Sequence, residues 1–277
     1  MGKTGVGVTG ALGRMGRGIV KEVHKSKDLE LVLAVEAPGS PNKGQDIGEL
    51  ISLRRIGVDV VTADELEEVL KKAEPEVLID FTTSEAAVEN IKTAAKMGVN
   101  LVVGTTGFSE EQLREIETTV THSKVAAVIS PNMALGVNVF FKAVMEVAGY
   151  LKEYDVEIIE AHHRFKKDAP SGTALRAGEL IVAALDMDLE DNAVYGRGRG
   201  IVGERKGREI GFHSIRGGDI VGDHTVIFAG EGERLEITHR ASSREAFVNG
   251  ALKAVRFLKG VERGRIYNTW DVLGIRK

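Results

Sequence analysis

The stretch VGVTGALGRMGRGIV sets Gly10, Gly13 and Gly16 at three-residue intervals between a short β-branched run and a helical pattern. Glycines at such a junction let the backbone turn tightly and approach a pyrophosphate, whose charge is favoured by the exposed N–H groups and dipole of the following helix. The spacing is a variant of G-x-G-x-x-G, so a flexible strand-to-helix turn remains open as a reading of the loop alone. The next apolar run, LELVLAVE, ends in Glu36. It lies about 20 residues after the last glycine, where an acid can accept hydrogen bonds from the ribose hydroxyls of an adenine dinucleotide.

From residue 1 to about 132, short apolar runs alternate with helical patterns, the signature of a parallel sheet with crossover helices. Strands are expected at 6–9, 29–36, 58–61, 77–81, 101–103 and 125–129, each apolar enough to be buried on both faces. Ser109, followed three residues later by Gln112, has the spacing of a capping box. Six strands in this order predict a Rossmann-type, doubly wound α/β domain. Two turns, GTTG at 104–107 and SPNM at 130–133, fall outside the carboxyl ends of strands, where ligands bind in such sheets; turn chemistry alone would also account for each.

After Pro131 the pattern changes. ALGVNVFFKAVMEVAGYL reads as a helix, DVEIIEA as a strand, and residues 173–185 as a second helix. The glycine-rich run YGRGRGIVGERKGREIG lacks any period and reads as a mobile or ligand-organised loop. REIGFHSIR, DIVGDHTVIFAG and ERLEITHR then alternate like antiparallel strands, so a second α+β domain with a mixed or antiparallel sheet is expected. SREAFVNGALKAVRFLKG and the tail return to helical spacing and suit packing back on the first domain.

Composition narrows the chemistry. Lys and Arg number 37 against 41 Asp and Glu, a net charge of −4, which leaves no basic excess for nucleic acid. No apolar run is long enough to span a bilayer and the N-terminus has no apolar signal core, so a cytoplasmic protein without a membrane partner is expected. The absence of cysteine removes thiolate nucleophiles, disulfides and sulfur-ligated metals.

The richest line is EAHHRFKKDAPSGTA, residues 160–174. Adjacent His162 and His163 point to opposite sides of an extended segment, and no H-x-x-x-H or HExxH spacing accompanies them, so no metal site is expected. Lys166 and Lys167 set cations nearby, and Pro170-Ser171-Gly172-Thr173 leads into a helix whose first N–H groups can take an anion. That set suits a small substrate carrying carboxylates, while Ser171 and Thr173 also qualify as N-caps. If a nicotinamide lies in the first domain, its hydride must be matched by a proton, and a histidine with an ordinary pKa of about 6.5 can deliver one near neutrality.

EAHHRFKKDAPSGTA resembles the signature of the dihydrodipicolinate reductase family. VTGALGRMG, FTTSEA, VVGTTGF, SPNMALGVNVF and GFHSIRGGDIVGDHTVIFAGEGERLEITHRASSREAF follow in the family's order along nearly the whole chain. The resemblance implies NAD(P)H-dependent reduction of a cyclic imine dicarboxylate on the diaminopimelate route to lysine. It implies His162 as proton donor with Lys166 as its catalytic companion, and His163, Gly172 and Thr173 as substrate ligands. The cofactor would lie along Gly10, Ala11, Leu12, Gly13, Arg14 and Met15, Glu36, Gly104, Thr105 and Thr106, and Ser130, Pro131, Asn132 and Met133. It further implies a dinucleotide-binding domain from residues 1–132 and 241–277, a substrate-binding and oligomerisation domain from 133–240, and a homotetramer. One departure stands out: several bacterial members carry arginines where this chain has Ala37 and Thr83. NADH is therefore expected to serve at least as well as NADPH, unless Arg14 or Lys43 holds a 2′-phosphate. Another Rossmann dehydrogenase of an amino or keto acid, and a non-catalytic NAD(H)-sensing protein, are the rival readings.

Overall fold

The computed structural model describes residues 2–275 and divides the chain into two compact units, Met1–Leu135 with Phe247–Lys277, and Gly136–Ala246. The crossing points lie at 135/136 and 246/247, a few residues beyond those expected from the change of pattern. Both fall within or beside helices, whose continuous period hides the crossing.

In chain order the strands are β1 Thr4–Thr9, β2 Leu29–Glu36, β3 Val60–Thr62, β4 Val77–Asp80, β5 Asn100–Val103, β6 Ala126–Ile129, β7 Asp155–His162, β8 Ala193–Tyr195, β9 Ile210–Arg216, β10 Gly222–Ala229, β11 Arg234–Ala241 and β12 Arg265–Tyr267. The helices are α1 Arg14–Lys25, α2 Ile47–Leu50, α3 Leu66–Ala73, α4 Ser84–Lys96, α5 Glu110–Ser123, α6 Leu135–Tyr150, α7 Gly172–Ala184, α8 Leu189–Asn192, α9 Glu245–Phe257 and α10 Thr269–Leu273.

The first unit is a parallel sheet of order β12-β6-β5-β4-β1-β2-β3. Its strands are apolar throughout because neighbouring residues serve opposite layers. Ile79 joins a core with Val6, Val8, Ile19, Val23 and Val255, while Leu78 joins Leu101, Ile91, Ala94, Ile116 and Val120 on the other side. The doubly wound architecture is as expected. The seventh strand, β12, is a correction to the helical reading of the tail: three residues pairing with Ala126, Ala127 and Val128 are too short to display a period. The expected capping box forms, with Ser109 Oγ accepting the Gln112 N–H at 3.2 Å and Gln112 Oε1 accepting the Ser109 N–H at 2.8 Å.

The second unit is a mixed sheet of order β11-β10-β7-β9-β8. β10 runs antiparallel to β11 and to β7, whereas β9 runs parallel to β7 and β8. The consecutive strands β9 and β10 are thus not a hairpin: β7 lies between them. Alternation in the sequence marked these runs as strands but could not assign their partners, and the antiparallel expectation, met by β10 and β11, is corrected for β9, which is parallel to both neighbours. Residues 196–209 carry no helix or strand, but the run is anchored, since Arg197 and Arg205 both donate to Glu157 Oε1, at 2.8 and 3.1 Å.

Candidate active site

Two sets of residues concern function, one in each unit. In the first unit, β1 ends in a loop whose glycines are demanded by geometry. Gly10 has φ +69°, and a Cβ on it would stand 2.5 Å from the carbonyl oxygen of Phe81; a Cβ on Gly16 would stand 2.1 Å from the carbonyl oxygen of Gly10. Helix α1 starts at Arg14 with Gly13 as its N-cap, and no side chain caps it. Its first N–H groups therefore suit a phosphate. Glu36 Oε1 accepts the Leu12 N–H at 2.6 Å, and Val35 carbonyl oxygen accepts those of Gly10 and Ala11 at 2.9 and 3.2 Å. The acid at the end of β2 thus fastens the glycine loop as well as facing the cleft beside it. That cleft, of about 340 Å³, is lined by Gly10, Glu36, Ala37, Pro38, Phe81 and Thr83 among others, and its lining includes no lysine or arginine among the described residues. Lys43 is engaged elsewhere, donating to Glu65 at 2.7 Å, a bond that raises its pKa.

The turns after β5 and β6 are built differently from one another. Gly104 lies against the Phe81 ring, where any Cβ would clash, and Thr106 is exposed. Thr105 is buried, and its hydroxyl donates to Asp80 Oδ1 at 2.6 Å while accepting the Thr82 N–H at 2.8 Å. Asp80 also receives Thr9 Oγ1 at 2.6 Å, Thr82 Oγ1 at 2.8 Å and Asn90 Nδ2 at 2.8 Å, so one buried carboxylate ties three strand ends together. The side chain of Thr105 is therefore turned away from any ligand. Ser130 is likewise buried, with Oγ donating to the Asn132 carbonyl at 3.0 Å, and the Met133 side chain belongs to the core. Pro131 is exposed, and Asn132 is half-buried with its Oδ1 accepting the Ala134 N–H at 2.9 Å, so the turn presents chiefly Pro131 and its backbone.

In the second unit the site grows from the end of β7. Residues 156, 158, 160 and 162 share the face that helix α7 covers; Val156 and Ile158 are core, and the polar residues follow at the strand's end. Register aligns Ser214, Glu160, His224 and His239 as one row across four strands. Glu160, 1% exposed, accepts His162 Nδ1 at 2.6 Å, Arg216 Nη1 at 2.8 Å and Nη2 at 2.7 Å, and the Ser171 N–H at 3.2 Å. Burial pulls its carboxyl upward, but the bonds from Arg216, His162 and Ser214 outweigh burial and hold it at about 2. Burial also leads at His162, whose pKa lies below the ordinary value; Glu160 opposes that shift, and the charges of Lys166 and Arg216 add to it.

Lys166 Nζ donates to both oxygens of Asp168, at 2.9 and 2.7 Å. Asp168 was not among the expected site residues. Ser171 is the N-cap of α7, accepting the Ala174 N–H at 3.2 Å, and its hydroxyl lies 2.9 Å from His224 Nε2. Gly172 and Thr173 open the helix, and His163 Nδ1 is buried without a hydrogen-bond partner among the described residues. The unit thus brings His162, Lys166 and the start of α7 into one bonded network. His224, 4% exposed and edge-on to the His162 ring at 5.2 Å, was missed although its signal is present: in DHTVIF it stands two residues before a core valine, an inward position on a strand. Among the described residues no cluster of three His, Asp or Glu side chains suits a metal ion, and no helix is long and apolar enough to cross a membrane.

Family models describe the same two parts: dihydrodipicolinate reductase, N-terminus, matches residues 4–133, and dihydrodipicolinate reductase, C-terminus, matches 136–273. A protein of Methanocaldococcus jannaschii named 4-hydroxy-tetrahydrodipicolinate reductase is 59% identical over 272 residues, 98% of both chains. One of the same name from Methanothermobacter thermautotrophicus is 57% identical over 270 residues, again 98% of both. Among solved structures, a dipicolinate-bound dihydrodipicolinate reductase from Paenisporosarcina sp. TG-14 is similar with TM-score 0.75 and 26% identity, covering 97% of this chain and 98% of that one.

Proposed function

The chain belongs to the dihydrodipicolinate reductase family, and from that premise we propose that it is a 4-hydroxy-tetrahydrodipicolinate reductase, an NAD(P)H-dependent oxidoreductase acting on a cyclic imine dicarboxylate. The observation that carries this reading is the bonded set of His162, Glu160, Lys166 and the start of α7, which a protein that merely sensed a dinucleotide would not need.

The glycine loop and the open N-terminus of α1 fit a dinucleotide pyrophosphate, and Glu36 fits the adenosine ribose. Bound there, the nicotinamide supplies a hydride. This chain's residues do the rest. The N–H groups at Gly172 and Thr173, with His163 and the Lys166 ammonium, hold the two carboxylates of the substrate. His162 gives its Nε2 proton to the atom that gains electron density as the hydride arrives. Lys166, steadied by Asp168, adds positive charge that favours transfer of that proton. Units made of residues 1–135 with 247–277 and of 136–246 are thereby the dinucleotide-binding and the substrate-binding parts.

NADH serves at least as well as NADPH in this reading, because Ala37 and Thr83 line the ribose end of the cleft and Lys43 is paired with Glu65. We extend it to a cytoplasmic homotetramer joined through the second unit, supported by Ile215, which is 51% exposed on the sheet face it shares with Ile159 and Ile227. Light scattering tests the tetramer. The function is tested by NADH oxidation with freshly generated hydroxy-tetrahydrodipicolinate: turnover supports it, and no turnover with either cofactor contradicts it.

A further inference from the structure

We infer that Glu160 is the positioning residue of this active site: it determines which nitrogen of His162 exchanges the proton, and through Ser171 it ties that nitrogen to the start of α7. The inference rests on the reading of His162 as the proton donor.

An ionised carboxylate can only accept hydrogen bonds. At 2.6 Å from Glu160 Oε2, His162 Nδ1 therefore carries a hydrogen whether the ring is neutral or charged. The nitrogen left to exchange a proton is Nε2. The approach to it is kept clear by Gly222 on β10, where a Cβ would stand 3.0 Å from Nε2.

Glu160 cannot turn away from this task. Oε2 receives His162 and Arg216 Nη1, and Oε1 receives Arg216 Nη2 and the Ser171 N–H, so each oxygen has at least two donors, and Ser214 bonds the same carboxylate. Arg216 Nη2 also donates to the Asp168 carbonyl at 2.7 Å, and the Asp168 carboxylate holds Lys166. One buried Glu–Arg pair thus sets the donor ring, the helix start and the Lys166 segment relative to one another. The charged and titratable groups facing His162 are Glu160 on its own strand, Arg216 on β9, His224 on β10 and Lys166 from the segment after β7. Of these only Glu160 favours the imidazolium.

Glu160→Gln replaces one acceptor by a donor. An amide NH2 at the Oε1 position would face two donors, Arg216 Nη2 and the Ser171 N–H, whereas at the Oε2 position it faces Arg216 Nη1, can donate to a bare Nδ1, and can be accepted by the Ser214 hydroxyl, which both donates and accepts. The substitution is thus expected to reverse the His162 tautomer.

The test is 15N NMR of the histidine rings together with pH–rate profiles. In the wild-type enzyme neutral His162 should carry its hydrogen on Nδ1. In Glu160→Gln it should carry it on Nε2, kcat should fall about tenfold to a hundredfold, and KM for NADH should hold. The limb along which kcat/KM falls with rising pH should move down by about one pH unit, because the charge favouring imidazolium is gone. A wild-type ring with its hydrogen on Nε2 overturns the inference and needs no variant to fold. So does a Glu160→Gln enzyme with unchanged tautomer and profile. Full kcat in His162→Gln overturns the reading beneath it, and the tautomer, read without turnover, tells the two failures apart.

Discussion

The backbone N–H of Leu12 donates to Glu36 Oε1 at 2.6 Å, so one acid both fastens the glycine loop and lines the cleft beside it. In the proposed cofactor seat, removing it loosens the loop facing the pyrophosphate and deletes the ribose acceptor together. Glu36→Ala should weaken NADH binding about tenfold to a hundredfold, the range for losing a hydrogen bond to a charged group. At saturating NADH, kcat should stay within about twofold. Fluorescence titration of NADH measures the first quantity, and an unchanged Kd would count against the loop's role.

The lining of the cleft around Ala37 and Thr83 includes no lysine or arginine among the described residues. With wild-type enzyme, kcat/KM for NADH should equal or exceed that for NADPH. Ala37→Arg, which adds a forked donor suited to phosphate, should raise kcat/KM for NADPH about tenfold. A large wild-type preference for NADPH would sink this account of selectivity.

Helix α7 opens with Gly172 and Thr173, capped by Ser171. Thr173→Val keeps the shape of the helix start and deletes a hydroxyl. Calorimetry should find dipicolinate, a planar dicarboxylate, bound at least tenfold more weakly to this variant, with NADH affinity unchanged. Equal loss of both ligands would contradict separate seats in separate units.

Two buried groups make stability depend on acid. Glu160 is held at about 2 against an ordinary 4.5, so its contribution is full above 4.5 and is lost as pH falls towards 2. His224 is driven by burial to about 3 against an ordinary 6.5 and stays neutral in the fold, so the unfolded chain binds the extra proton between these values. Stability should therefore decline as pH drops from 6.5, before Glu160 begins to act. Urea midpoints between pH 7 and 5 should fall in the wild type and fall less in His224→Gln, by a slope worth about one proton. Parallel slopes in the two proteins would contradict the neutral buried ring.

Much of this was legible in the chain because two periods and one loop carry strong physics. Strands buried on both faces betray themselves as apolar runs, and the glycines at 10 and 16 mark a turn where the structure leaves no room for a side chain. What escaped was set by contacts across the fold. β12 is three residues long, and β9 pairs with β7 because of a crossover that alternation cannot register. Asp80, Asp168, Arg216 and His224 each look like ordinary polar residues in sequence; their roles come from partners between 2 and 71 positions away. Thr105 and Met133 show the converse, since a motif locates a turn but not which of its side chains face inward.

The central claim is that His162 gives the proton while the Lys166 segment and α7 hold the substrate. It is tested most directly by steady-state NADH oxidation with freshly generated hydroxy-tetrahydrodipicolinate, comparing wild type with His162→Gln. Loss of a general acid should cut kcat by about a hundredfold to ten-thousandfold, with KM for NADH and dipicolinate affinity nearly unchanged. A variant that turns over at the wild-type rate would contradict the account.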